Sequence, residues 1–140
     1  MMKPFIALLL LVSPIILNAQ PKPSVTIVDL VKVTPGYEKE AIFYYEQNWK
    51  LYRDIALARG VIKSYRVLLL HEAEKDSFNL MLITEYADSA AYHAGEKRFE
   101  PILKEARPNG PLLLNAMQPA QFRRNYYYRK SETLFESRHE

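Results

Sequence analysis

SVTIVDLVKVTPGYEKEAIFYYEQNWKLYRDIALARG, residues 24–60, decides the fold. Its first part, Val25 to Val33, is β-branched on both faces, with Val25, Ile27, Val31 and Val33 on one side and Thr26, Val28 and Leu30 on the other. A strand of this kind needs cover on both faces. Thr34-Pro35-Gly36 breaks it, and Tyr37 to Arg59 follows with helical periodicity up to Gly60. At about 100° per residue, Ala41, Tyr45, Asn48, Trp49, Tyr52, Ile55 and Ala56 form one stripe, with Lys39, Glu46, Lys50, Arg53 and Asp54 opposite. The apolar stripe lays this helix on the sheet.

Outward from that unit, Val61 to His71 and Ser77 to Tyr86 read as two strands joined by the charged turn Glu72 to Asp76, an antiparallel hairpin. Asp88 is placed as an N-cap for a second helix. Gly95 and Pro101 predict a break and a continuation, ending near Arg107 before Pro108-Asn109-Gly110-Pro111. Leu112 to Met117 is an apolar connection, and Gln121 to Arg129 a last strand with Phe122, Arg124, Tyr126 and Tyr128 on one face. The order β-α-β-β-α-β is that of an α+β, ferredoxin-like fold with a four-stranded antiparallel sheet. Two helices cover one sheet face, yet Leu68 and Leu70 alternate with Val67 and Leu69, and Met81 and Ile83 with Leu80 and Leu82. An apolar face of that extent calls for a second copy, so the subunits are expected to pair as a dimeric α+β barrel.

The N-terminus reads as a signal peptide over residues 1–19: Lys3, an apolar run Phe5 to Leu17 interrupted by Pro14, and Leu17-Asn18-Ala19 before Gln20. The run falls short of the roughly 20 residues that span a bilayer. With no cysteine in the chain there is no lipidation site at the cleavage point, no disulfide, no thiolate metal site and no cysteine nucleophile. The reading is therefore an exported protein, periplasmic or extracellular and soluble, with no membrane contact after cleavage. Residues 20–23 form a short linker, 24–130 the barrel domain and 131–140 a polar tail. Removing 19 of the 140 residues leaves 121, enough for one domain with a modest core. The net charge of +3 falls to +2 with the loss of Lys3, too small for nucleic-acid binding by charge alone. Arg123-Arg124 and Arg129-Lys130 bracket Asn125 to Tyr128, a pattern that suits single-stranded nucleic acid, but solvent-side alternation along a strand is the preferred reading in an exported chain.

Glu85-Tyr86-Ala87-Asp88-Ser89-Ala90-Ala91-Tyr92-His93, with Phe99 six residues on, resembles the antibiotic-biosynthesis-monooxygenase-like domains of the dimeric α+β barrel superfamily. The opening through Gly60 also resembles the NIPSNAP-like branch. The resemblance implies a homodimer with a pocket in each subunit between helices and sheet. It also implies, for some members, oxidation of phenols or quinols without metal or flavin, and for others haem degradation. The chain departs from the haem-degrading pattern, which has a tryptophan early in the second helix and a ligating histidine beyond the phenylalanine. Tyr92-His93 and Leu103 stand there, and Arg98 replaces a further family histidine before Phe99.

No motif reaches the specificity of a metal cluster, a phosphate loop or a nucleophile elbow. His71, His93 and His139 lack metal-ligand spacing, so no metal and no cofactor are expected. The expected ligand pocket comprises Asn48, Trp49, Tyr65, Tyr86 and His93, with a small aromatic or apolar molecule as partner beside the second copy of the chain. Asn48 is the strongly polar residue of the helix stripe and, where buried, needs a partner, either a ligand or a strand end. Trp49, Tyr45 and Tyr52 suit core or pocket wall, core being the commoner outcome. His93 is the one catalytic candidate: as base it accepts a phenolic proton while Asn48 or Tyr86 steadies the oxyanion. The competing reading is that it caps the break at Gly95. Asp29 interrupts the apolar strand face as a general base or, preferably, as an ion-paired group facing Arg66 or Arg124. Three functions remain open: a ligand-binding dimer, a cofactor-independent monooxygenase acting on a phenol or quinol, and a non-catalytic structural or partner-binding dimer. The first is favoured because the catalytic signature is incomplete.

Overall fold

The structure is a computed structural model that describes residues 22–71 and 78–134. The expected signal peptide, the charged hairpin turn and most of the expected polar tail lie outside the described residues.

Strand β1 spans Val25–Val33, as the branched residues require. The first helix runs as α1 (Glu38–Tyr44), a π-helical segment (Tyr45–Lys50) and α2 (Leu51–Ala58). Strands β2 (Ser64–Leu69) and β3 (Leu80–Tyr86) make the hairpin, α3 (Ser89–Ala106) follows, and β4 (Arg123–Glu132) closes the sheet. The order across the sheet is β2-β3-β1-β4, and every neighbouring pair is antiparallel. This is the expected ferredoxin-like α+β arrangement, with all the helices on one face.

Register assigns the faces. Val25, Ile27, Val31 and Val33 of β1 and Leu80, Leu82, Thr84 and Tyr86 of β3 are buried under the helices. They pack in two clusters: Ile27 and Val25 with Tyr52, Ala56, Tyr86 and Ile102, and Val31 and Val33 with Ala41, Tyr45, Trp49 and Phe122. Asp29 lies between them on the same face, midway along β1. Thr26, Val28 and Leu30 point to the opposite face with Met81, Ile83, Leu68 and Tyr127. No element of the described residues covers that face.

Five local expectations are corrected. The first helix is not uniformly α: Tyr45–Lys50 is a π turn, within which Tyr45, Asn48 and Trp49 are buried as the stripe requires. The second helix is not broken at Gly95, which is buried inside a continuous α3; Pro101 is also internal to it. Gly95 is there for close approach, since a Cβ would meet Tyr86 Cε1 at 2.7 Å. Asp88 caps α3 as expected, accepting from the Ala91 N–H at 2.8 Å. The last strand begins later, because Pro119–Phe122 forms a helical turn that buries Phe122. It also carries a bulge: Leu30 pairs with Tyr127 but Val31 with Asn125, leaving Tyr126 as the extra residue. The bulge reverses the alternation. Tyr128, Asn125 and Arg123 share the helix-covered face, whereas Arg124 lies opposite with Tyr127. The strand also runs on to Glu132, into what reads in sequence as the start of the tail.

Candidate functional site

The helix-covered face holds two concavities. One, of about 270 Å³, is lined by Tyr86, Tyr92, His93, Glu96, Phe99 and Tyr128. Helix geometry explains half of it: Tyr92, Glu96 and Phe99 recur at intervals of three and four and project from one side of α3, with His93 beside them. Tyr86 ends β3 beneath Gly95, and the bulge in β4 turns Tyr128 toward the same space. The Tyr92 and Tyr128 hydroxyls are 3.1 Å apart, closing one wall by a hydrogen bond. Tyr86 and Tyr92 meet edge to face at 5.5 Å, and the His93 ring lies 5.2 Å from that of Tyr92. His93 itself is exposed, at the rim.

Burial raises the Tyr86 phenol above its ordinary range. Tyr128 is raised too, by burial first and then by its hydrogen bond to Tyr92. Both hydroxyls therefore stay protonated near neutral pH and present O–H groups. Behind Phe99, the Arg53 guanidinium stacks between two rings, 4.3 Å from Trp49 and 4.8 Å from Phe99. Burial lowers its pKa, while Asp29 and the neighbouring tyrosines oppose that shift. Asp29 is raised by loss of hydration, against the fields of Arg53 and Arg123. These are the arginines that face it, not Arg66 or Arg124: the latter two pair into the opposite sheet face.

The second concavity, of about 430 Å³, lies between α1 with the π turn and the outer strand β2, and includes Tyr45, Tyr65, Val67 and Leu69. The Tyr65 hydroxyl donates a short hydrogen bond to Asp54, which also holds the Lys50 ammonium.

The five residues expected to share one pocket are thus distributed over three places. Tyr86 and His93 come together in the tyrosine cavity, and Tyr65 lines the other one. Trp49 is buried in the core, edge-on to Tyr65 at 5.6 Å. Asn48 lines neither cavity. It is fully buried, its Nδ2 donates to the Tyr44 and Leu112 carbonyls, and its Oδ1 accepts from the Leu112 N–H and Arg107 Nε. All four bonding positions of the amide are used within the chain, so it acts as a clasp between the π turn and the segment after α3. Tyr92, Glu96, Phe99 and Tyr128 are additions to the expected pocket, Tyr92 and Phe99 having entered only as residues of the motif. Helical spacing from Tyr92 points to Glu96; nothing in the tyrosine run reveals the bulge that turns Tyr128. Among the described residues, no group of three or more His, Asp or Glu side chains is placed to hold a metal ion, and no helix is long and apolar enough to cross a membrane.

No family model matches this sequence, and no curated protein matches it. Solved structures do. A dimeric ferredoxin-like protein from an uncultured marine organism aligns with a TM-score of 0.56 at 13% identity, covering 83% of this chain and all of its own. An EthD-like protein from Ralstonia eutropha aligns at 0.49 and 14% identity, over 83% of this chain and 96% of that one. A dimeric protein of unknown function with a ferredoxin-like fold from Bacteroides fragilis aligns at 0.42 and 13% identity, over 79% and 96%. The first of these, with the strand order, establishes the ferredoxin-like fold of this chain.

Proposed function

We propose that this chain is an exported, homodimeric α+β barrel protein of the antibiotic-biosynthesis-monooxygenase-like kind, which binds a small, partly polar aromatic molecule in the tyrosine cavity. The observation that carries the reading is the convergence of Tyr86, Tyr92, Phe99 and Tyr128 with His93 and Glu96 around one concavity. Aromatic faces offer edge and stacking contacts to a planar ring, and phenolic hydroxyls give its oxygen atoms partners. The uncovered sheet face, with Val28, Leu30, Met81 and Ile83 at its centre, is the surface on which a second copy sits. The dimeric state recorded for the similar structure from an uncultured marine organism supports this pairing.

The cavity's size favours a single ring: about 270 Å³ is just under the roughly 300–1,000 Å³ usual for ligand pockets. Hydroquinone is the probe of choice. It is expected to perturb the Tyr92 and His93 amide resonances in a titration, and Tyr128→Phe is expected to weaken it severalfold. Absence of any shift on these residues would refute the assignment of the site.

A catalytic reading is favoured by one observation, the place of His93 on the rim of this same cavity. There its imidazole takes a phenolic proton, with dioxygen as the oxidant and the Tyr86 hydroxyl beside the resulting oxyanion. Oxygen uptake with hydroquinone, lost in His93→Ala while binding persists, supports this activity. Binding without uptake in the parent protein leaves the ligand-binding function. A cavity that takes no small molecule leaves the structural dimer.

A further inference from the structure

We propose that the groove between α1 and the outer strand β2 is a second binding site, which takes the hydrocarbon chain of an uncharged or cationic amphiphile. It stands apart from the tyrosine cavity and does not depend on what that cavity binds.

The groove exists because the first helix leaves β2 partly uncovered. Val67 and Leu69 pair with Leu82 and Leu80, which places them on the helix-covered face, yet they are 40% and 52% exposed. Ile42, projecting from α1 toward the same space, is 49% exposed. Three large aliphatic side chains therefore line one concavity of about 430 Å³, with Leu80 among its floor residues. That volume lies well inside the roughly 300–1,000 Å³ of small-molecule pockets. The aliphatic lining accepts methylene groups and offers few partners to a polar ring.

The rim selects the head group. Glu38 and Glu46 stand along its helix side. Lys50, the cation of the lining, is held by Asp54 at 2.7 Å, and Asp54 also receives the Tyr65 hydroxyl. The lining thus carries two carboxylates, Glu38 and Glu46, and one ammonium that is already paired with Asp54. Arg123 does not itself line the groove: from β4, where it pairs with Val33, it stacks on the Tyr44 and Tyr45 rings. An ammonium or hydroxyl head is compatible with this rim, and a carboxylate or sulfate head is repelled.

Decylamine, decan-1-ol and decanoate, each below its aggregation concentration, test the idea by calorimetry and native mass spectrometry on the purified protein. The amine and the alcohol are expected to bind one per subunit, with decanoate weaker by roughly tenfold from like-charge repulsion. Glu46→Lys should shrink or invert that ratio. Val67→Trp, on an exposed strand position that tolerates a large ring, should fill the groove and abolish decyl binding while hydroquinone binding is unchanged. Ile42→Trp tests the same point from the helix side should the strand variant fail to fold. Equal affinity for amine and decanoate overturns the head-group assignment. Decyl binding that survives both tryptophans overturns the site, and failure of all three probes to bind overturns the proposal as a whole.

Discussion

Asn48 shows how one side chain is tied to the fold by its hydrogen bonds. The segment Pro108 to Met117 has little apolar cover of its own, with Leu112 46% exposed, and the Asn48 clasp fixes it to the first helix. Asn48→Leu is nearly the same size but strands the Leu112 N–H and carbonyl. A loss of about 2–4 kcal/mol in urea unfolding is expected, because each buried group left without a partner costs roughly 1–3 kcal/mol. An unchanged midpoint would show that the clasp contributes nothing. Asp29 works in the other direction. Its carboxyl is raised above the ordinary value of 3.8 by lost hydration, so the folded chain binds this proton more tightly than the unfolded chain. Below that ordinary value the group is neutral in both states and costs nothing. As pH rises through the interval up to the raised folded value, ionisation progressively destabilises the fold. Asp29→Asn should therefore melt close to the parent at acid pH and above it at neutral pH. Melting curves across that interval that run parallel, or a variant less stable at neutral pH, would show that Arg53 and Arg123 gain more from the charge than its burial costs.

At the scale of elements, the π turn and the β4 bulge each insert one residue into a regular structure, and each redirects side chains toward the site-bearing face. Within the first helix, the widened turn Tyr45–Lys50 sets Tyr45, Asn48 and Trp49 inward together, and the Tyr44 carbonyl receives Asn48 Nδ2 at 3.0 Å. Deleting the exposed Gln47 would restore an α-helical turn and rotate α1 about 100° relative to α2. Tyr45 and Ala41 would leave the core, with an expected loss of at least about 3 kcal/mol from apolar burial. A cooperative urea transition at the parental midpoint would mean that the helix can slip without cost. The second insertion also marks where sequence reading ends. The β1 bounds, the succession of the main strands and helices along the chain and the Asp88 cap were legible because branched residues, turn residues and a capping side chain act locally. Tyr92, His93 and Phe99 were legible as a group through the motif alone, since a break was expected at Gly95 between them. The buried stripe of the first helix was legible through and beyond the π turn, but the one-residue insertion in β4 has no local signature in Asn125-Tyr126-Tyr127-Tyr128, so the faces of that strand were not. Gly95 was misread for a related reason. In sequence a glycine marks a helix end, while here it serves a contact with Tyr86, nine residues earlier. Gly95→Ala, ordinarily a gain within a helix, should instead cost about 1–3 kcal/mol as its methyl strikes the Tyr86 ring. Thermal unfolding decides the sign.

The whole molecule has one sheet with two differently treated faces. Helices cover most of one of them, leaving the tyrosine cavity and the groove along β2. The other carries Val28, Leu30, Met81 and Ile83 along the central strands β1 and β3, flanked by Leu68 and Tyr127, with no described element above it. A monomer that left this surface in water would forgo a large part of the apolar burial available to a chain of this size. Pairing two such faces removes both from solvent in one isologous contact, and the charged groups at its edges, Lys32, Arg66 and Arg129, limit how the copies align. Ionic groups placed at the centre should therefore act on association before they act on anything else. Ile83→Lys puts an ammonium opposite its symmetry-related surroundings, where it has neither water nor a counter-ion. The parent is expected to run at the mass of two chains in native mass spectrometry and to melt at a temperature that rises with protein concentration. The variant should lose the two-chain species and, because the subunit relies on its partner for cover, also lose most of its thermal stability. Lysine at Arg66, on the same face but at the outer strand, keeps the charge and should leave both properties intact. A parent protein that is monomeric with a concentration-independent melt would refute the barrel, and the sheet face would then need another partner to explain its composition.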